Sequence, residues 1–80
     1  MILVSGPAIG KLCCHTRKWA HEHLHRGSFG PVTRWPSGVL YAALAGVEAY
    51  TGLQFAADQL EGARDGRPER VITIPDQEVA

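Results

Sequence analysis

The chain has 80 residues, 45% of them hydrophobic and 20% charged, and its formal net charge is zero. This length fits one small domain over residues 1–80 and excludes large barrels and full-length doubly wound enzymes. The composition excludes overall disorder and points to a globular unit with a small core.

Ile2-Leu3-Val4 is apolar and β-prone, and Ser5-Gly6-Pro7 follows as a turn with Pro7 suited to the first turn of a helix. Ile9, Leu12, Cys13, Thr16, Ala20 and Leu24 then recur at three- and four-residue steps, so a helix is expected over about 8–26. Gly10 is its weak point, Gly27 its C-terminal cap, and His25 and Arg26 suit the negative end of its dipole. Gly27 to Gly38 reads as an ordered loop around Phe29, Val32 and Trp35, with room for a brief strand at Val32–Trp35.

Ser37 is positioned to cap a second helix over about 38–51, with Leu40, Ala43, Leu44 and Val47 as its inward stripe. Thr51-Gly52 interrupts it. A third helical stretch, about 53–62, carries Leu53, Ala56, Ala57 and Leu60. Val71-Ile72-Thr73-Ile74 reads as a strand over about 70–74, stopped by Pro75, and the tail 76–80 is expected to be flexible. The expected fold is therefore a small α/β or α+β domain, two short strands packed on two to three helices. A helical crossover between the strands permits parallel pairing. Trp19, Phe29, Trp35, Leu44, Phe55 and Leu60 are the expected core, and exposed strand edges leave room for a homodimer.

The zero net charge conceals a polarity. Residues 1–40 carry five Lys or Arg against Glu22 alone, whereas residues 41–80 carry seven Asp or Glu against three Arg. All four histidines lie in the first half. Such segregation suits an acidic partner on the basic half, or attraction between the halves within one chain or between copies. Cys13 and Cys14 are the only cysteines, and adjacent cysteines meet disulfide geometry poorly, so a reducing, cytoplasmic setting is expected. No basic leader precedes the first apolar run, and no apolar stretch approaches the length of a membrane span.

Three strings carry candidate chemistry. His21-Glu22-His23-Leu24-His25 contains H-E-x-x-H, and over these five residues it resembles the zincin metallopeptidases. On a helix, His21 and His25 lie one turn apart and would share a zinc ion, with Glu22 as general base. The resemblance would take Glu48, on the next expected helix, as third ligand. A second stripe joins Cys14, Lys18, His21 and His25, where a lysine beside a thiol would favour the thiolate. Cys14 and His21 are, however, about 10 Å apart along such a helix. Gly6-Pro7-Ala8-Ile9-Gly10-Lys11 is similar to a phosphate-binding P-loop. It has one residue too few between the glycines and Leu12 in place of the magnesium-holding Ser or Thr, so a strand-to-helix turn is expected instead.

The leading expectation is a non-enzymatic protein-interaction module of accessory or inhibitor type. It would present Lys11, Arg17, Lys18, His21, His25 and Arg26 on a basic helix, with an acidic C-terminal half, and would bind another protein with an acidic surface and no cofactor. The alternatives are the zinc site of His21, His25 and Glu48, with Glu22 catalytic, and nucleic-acid binding along the same basic helix, with Arg34-Trp35 available to stack on a base.

Overall fold

A computed structural model describes residues 1–75. The flexible tail expected at 76–80 lies outside the described residues. The architecture is a small mixed α/β unit: a four-stranded antiparallel sheet with four helices, as the expected fold class requires. The elements run β1 (Ile2–Ser5), α1 (Gly6–Leu12), α2 (Arg17–Arg26), β2 (Val32–Arg34), β3 (Leu40–Ala43), α3 (Leu44–Thr51), α4 (Ala57–Arg64), a 3-10 turn (Pro68–Arg70) and β4 (Val71–Thr73). The strand order is β2-β3-β1-β4.

The sheet has two more strands than the two expected, and its pairing is antiparallel where a parallel pair had been allowed. Leu3 lies opposite Ala43 on one side and Ile72 on the other, so the first strand of the chain is central. The residues 38–43, expected to open a helix, instead supply the end of a turn and β3. Trp35-Pro36-Ser37-Gly38 closes a hairpin in which the Gly38 amide donates to Trp35 O at 2.8 Å and the Trp35 amide to Val39 O at 2.9 Å. Proline second and glycine fourth suit such a turn, and Gly38 has a φ of +92°. Ser37 therefore belongs to a hairpin tip and caps no helix. Once the hairpin forms, Leu40–Ala43 is paired on both sides, and that pairing overrides the helical leaning of an alanine-rich segment.

The long helix expected over 8–26 is two helices. Cys14 adopts a left-handed φ of +57°, which no continuous right-handed helix admits. Thr16 then starts α2 by accepting the Trp19 amide on Oγ1 at 3.1 Å. Gly27, with a φ of +77°, ends α2 as expected. The third helix begins four residues later than expected, at Ala57, where the Ala56 amide donates to Gln59 Oε1 at 2.7 Å. Pro7 does occupy the first turn of α1, which follows β1 without a loop.

The helices cover one face of the sheet. Val4, Ala42 and Val71 meet Ala8, Ile9, Ala20, Leu24, Phe29, Leu44, Val47, Leu60 and Ala63 in one buried cluster. Of the expected core, Phe29, Leu44 and Leu60 are buried, while Trp19, Trp35 and Phe55 are half-buried. Three glycines sit at close approaches. A Cβ on Gly46 would strike the Phe29 carbonyl, so α3 lies directly against the chain leaving α2. A Cβ on Gly6 would stand 2.8 Å from His21 Nε2, and one on Gly10 3.1 Å from His15 O. The two glycines of the near-P-loop string are thus the smooth face of α1 on which α2 and the turn before it rest.

Candidate functional site

Helix α2 presents its side chains in rows four residues apart, as 3.6 residues per turn dictates. Ala20 and Leu24 face the core. Lys18, Glu22 and Arg26 are exposed. Arg17, His21 and His25 form a third row, which walls a groove of about 580 Å³ against the β2–β3 hairpin. Arg34 of β2 joins them from the opposite wall, and Pro7, Val39 and Leu40 supply an apolar floor. Among the described residues no Asp or Glu lines this groove. A second hollow of about 460 Å³ shares His25, Arg34 and Leu40 with it and extends the basic lining to Arg26.

The fourth row, His15 before the helix with Trp19 and His23, is aromatic. His15 stacks on Trp19 with ring centres 3.9 Å apart, and Trp19 reaches His23 at 4.6 Å. Phe29 and Tyr50 complete the cluster. His23 Nδ1 is 2.8 Å from Ser28 Oγ. The four histidines, indistinct in the sequence, therefore divide into two pairs: one packed among aromatic rings, one on the groove.

The candidate residues separate accordingly. Arg17, His21 and His25 converge on the groove, with Arg26 at its extension. Lys11 instead lies on α1 and pairs with Asp65 at 3.3 Å, an ion pair between the basic and acidic halves. Lys18 is exposed on a different row from Arg17. His21 and His25 do share a side of α2, but Glu22 points away into solvent and Glu48 accepts the Phe55 amide at 3.0 Å, pinning the loop before α4. Among the described residues no three His, Cys, Asp or Glu side chains converge on a place for a metal ion, so the set His21, His25 and Glu48 is not assembled. The stripe of Cys14, Lys18, His21 and His25 is broken by the turn at Cys14.

Both cysteines are free thiols. Cys14 is exposed, while partial burial, with the neighbouring Cys14 as a lesser cause, raises the Cys13 thiol above its usual range. Tyr41 is buried in β3 and its hydroxyl donates to the Glu69 carbonyl oxygen. Burial, helped by the Glu69 carboxylate, holds the Tyr41 phenol above its ordinary pKa.

Sequence reasoning offered Arg34 only as a base-stacking residue and did not single out Ser5, Arg67 or Arg70. Arg34 and Leu40 lie opposite each other in the β2–β3 ladder, so both reach the groove side once the hairpin is known. The Pro-Ser-Gly turn signal was the clue to that hairpin. Nothing local in the sequence marks Arg70 as buried. Among the described residues no helix is long and apolar enough to cross a membrane. Compared with protein-family models, with curated proteins and with solved structures, the chain finds no match in any of the three.

Proposed function

We propose that the chain is a protein-interaction module whose basic groove receives an acidic segment of another protein, with apolar side chains between the acidic ones. The observation that carries this reading is the lining itself: Arg17, His21, His25 and Arg34 on two opposed walls, an apolar floor, and no carboxylate among the described residues. Opposite charge steers such a partner and fixes its register, and the floor supplies the apolar burial that charge alone lacks.

A protein segment is favoured over nucleic acid on three grounds. The basic row along α2 is short, Glu22 divides Lys18 from Arg26 on the exposed row, and the chain carries no net positive charge to follow a phosphate backbone. Two free thiols suit a reducing, cytoplasmic setting.

The test is a titration of the isotopically labelled chain with a Glu/Leu decapeptide, followed by NMR. Shifts should cluster at Arg17, His21, His25 and Arg34, and Arg34→Glu should weaken binding by about tenfold or more. Equal binding of a Lys/Leu decapeptide would overturn the reading. A single-stranded oligonucleotide that displaces the acidic peptide would transfer the groove to nucleic acid.

A further inference from the structure

At the end of the sheet, where β1 turns into α1, a pocket of about 180 Å³ lies beside the groove and shares Arg17, Pro7 and Val39 with it. Its other lining residues are Ser5, Arg67, Glu69 and Arg70. Two of these are unusual. Arg70 is only 9% exposed, yet among the described residues its guanidinium has neither a carboxylate partner nor a hydrogen bond. Ser5 is 2% exposed, and its Oγ is buried with no hydrogen-bond partner. It is also the residue before α1, and it caps no amide there.

Their proximity follows from the ladder. Val4 lies opposite Val71, so one step further along the antiparallel pair brings Ser5 beside Arg70. The neighbouring acids are engaged or outnumbered. Asp65 is paired with Lys11, and Glu61 with Arg64. Three guanidiniums, Arg17, Arg67 and Arg70, against the single carboxylate of Glu69 leave two positive charges around the pocket.

A buried hydroxyl is normally hydrogen-bonded, and an arginine this enclosed normally has a carboxylate beside it. Here both lacks occur at one small cavity and both are met by one kind of ligand. We propose that Ser5, Arg17, Arg67 and Arg70 form a binding site for a phosphate group. Guanidinium forks match two oxygens of such a group at once, and the serine hydroxyl donates to a third. The charge excess equals that of a phosphate dianion. The volume lies below that of pockets that enclose whole drug-sized ligands, so a single anionic group enters and anything attached to it extends into the adjoining groove.

This site does not depend on the acidic-segment reading, because its ligand is a small ion and its key residues, Ser5 and Arg70, line no part of that groove. The test is the thermal stability and NMR spectrum of the full chain titrated with inorganic phosphate, with sodium chloride and sodium acetate at matched ionic strength. Phosphate should raise the melting temperature by mass action and shift Ser5, Arg17 and Arg70, while chloride and acetate leave them in place. The exposed residues permit folded variants: Arg17→Gln and Arg67→Gln should each weaken phosphate about tenfold. Ser5→Ala should weaken it while keeping the fold. Phosphoserine and a nucleoside monophosphate, compared with inorganic phosphate, then distinguish a tethered group from the free ion. Phosphate that acts no differently from chloride, or binding undiminished in both arginine variants, would overturn the proposal.

Discussion

The two sides of α2 that carry histidine differ in almost everything except residue type. On one side His15, Trp19 and His23 are packed ring on ring with Phe29 and Tyr50. On the other, His21 and His25 stand with Arg17 over a groove whose far wall is Arg34. The first arrangement joins α2 to the chain around Phe29 and to α3. The second leaves cationic and ionisable groups gathered with no carboxylate among them. One helix thus divides a single residue type between cohesion and display, and the division is set by the four-residue row each histidine occupies.

This contrast can be broken from the cohesive side first. Trp19→Ala removes the ring that joins His15, His23 and Phe29, and should cost about 2–3 kcal/mol in chemical denaturation, since the ring is only half-buried. The surviving folded fraction should bind the acidic decapeptide with unchanged affinity. A smaller effect is expected at the boundary between the sides. Gly6→Ala places a methyl against the His21 imidazole, and the ring can swing away, so a loss of about 1 kcal/mol is expected, read in a thermal melt. Displaced NMR signals for His21, with His23 unmoved, would show that the two rows respond independently. The smallest change in stability belongs to the groove. Arg17→Ala removes an exposed side chain and should alter the denaturation midpoint by no more than about 0.5 kcal/mol. A large loss of stability there would show that the groove side is structural after all.

How far the sequence discloses this molecule varies along the chain. The α2 end at Gly27, the strands at Ile2 and Val71, and the burial of Leu44 and Leu60 follow from local pattern, because turn chemistry and apolar spacing act locally. The break at Cys14 does not. Its left-handed backbone belongs to a helix-end turn closed by the His15 amide on Gly10 O at 2.9 Å, but a cysteine carries none of the glycine signal that usually marks such a turn. Thr16 was legible as a helix start, but its place in the apolar spacing of a longer helix concealed it. β3 is hidden for another reason: Leu40-Tyr41-Ala42-Ala43 has helical composition, and only its neighbours on either side make it a strand.

The site divides in the same way. Arg17, His21 and His25 fall on one row by arithmetic alone, so their convergence was readable. Arg34 became a neighbour only through the hairpin. Ser5 and Arg70, far apart in the chain, meet through the β1–β4 pairing, and no spacing rule encodes that. Glu48 shows the converse. Its position suited a third zinc ligand, but the carboxylate is held by the Phe55 amide.

The central place of β1 has a kinetic consequence. Leu3 pairs with Ala43 and with Ile72, so both edges of the first strand wait for partners from distant parts of the chain. The β2–β3 hairpin can close quickly around its own turn, but it gains its inner neighbour only when a long loop is shut. Such non-local pairing places sheet completion late and makes folding slower than in a helical bundle of this length.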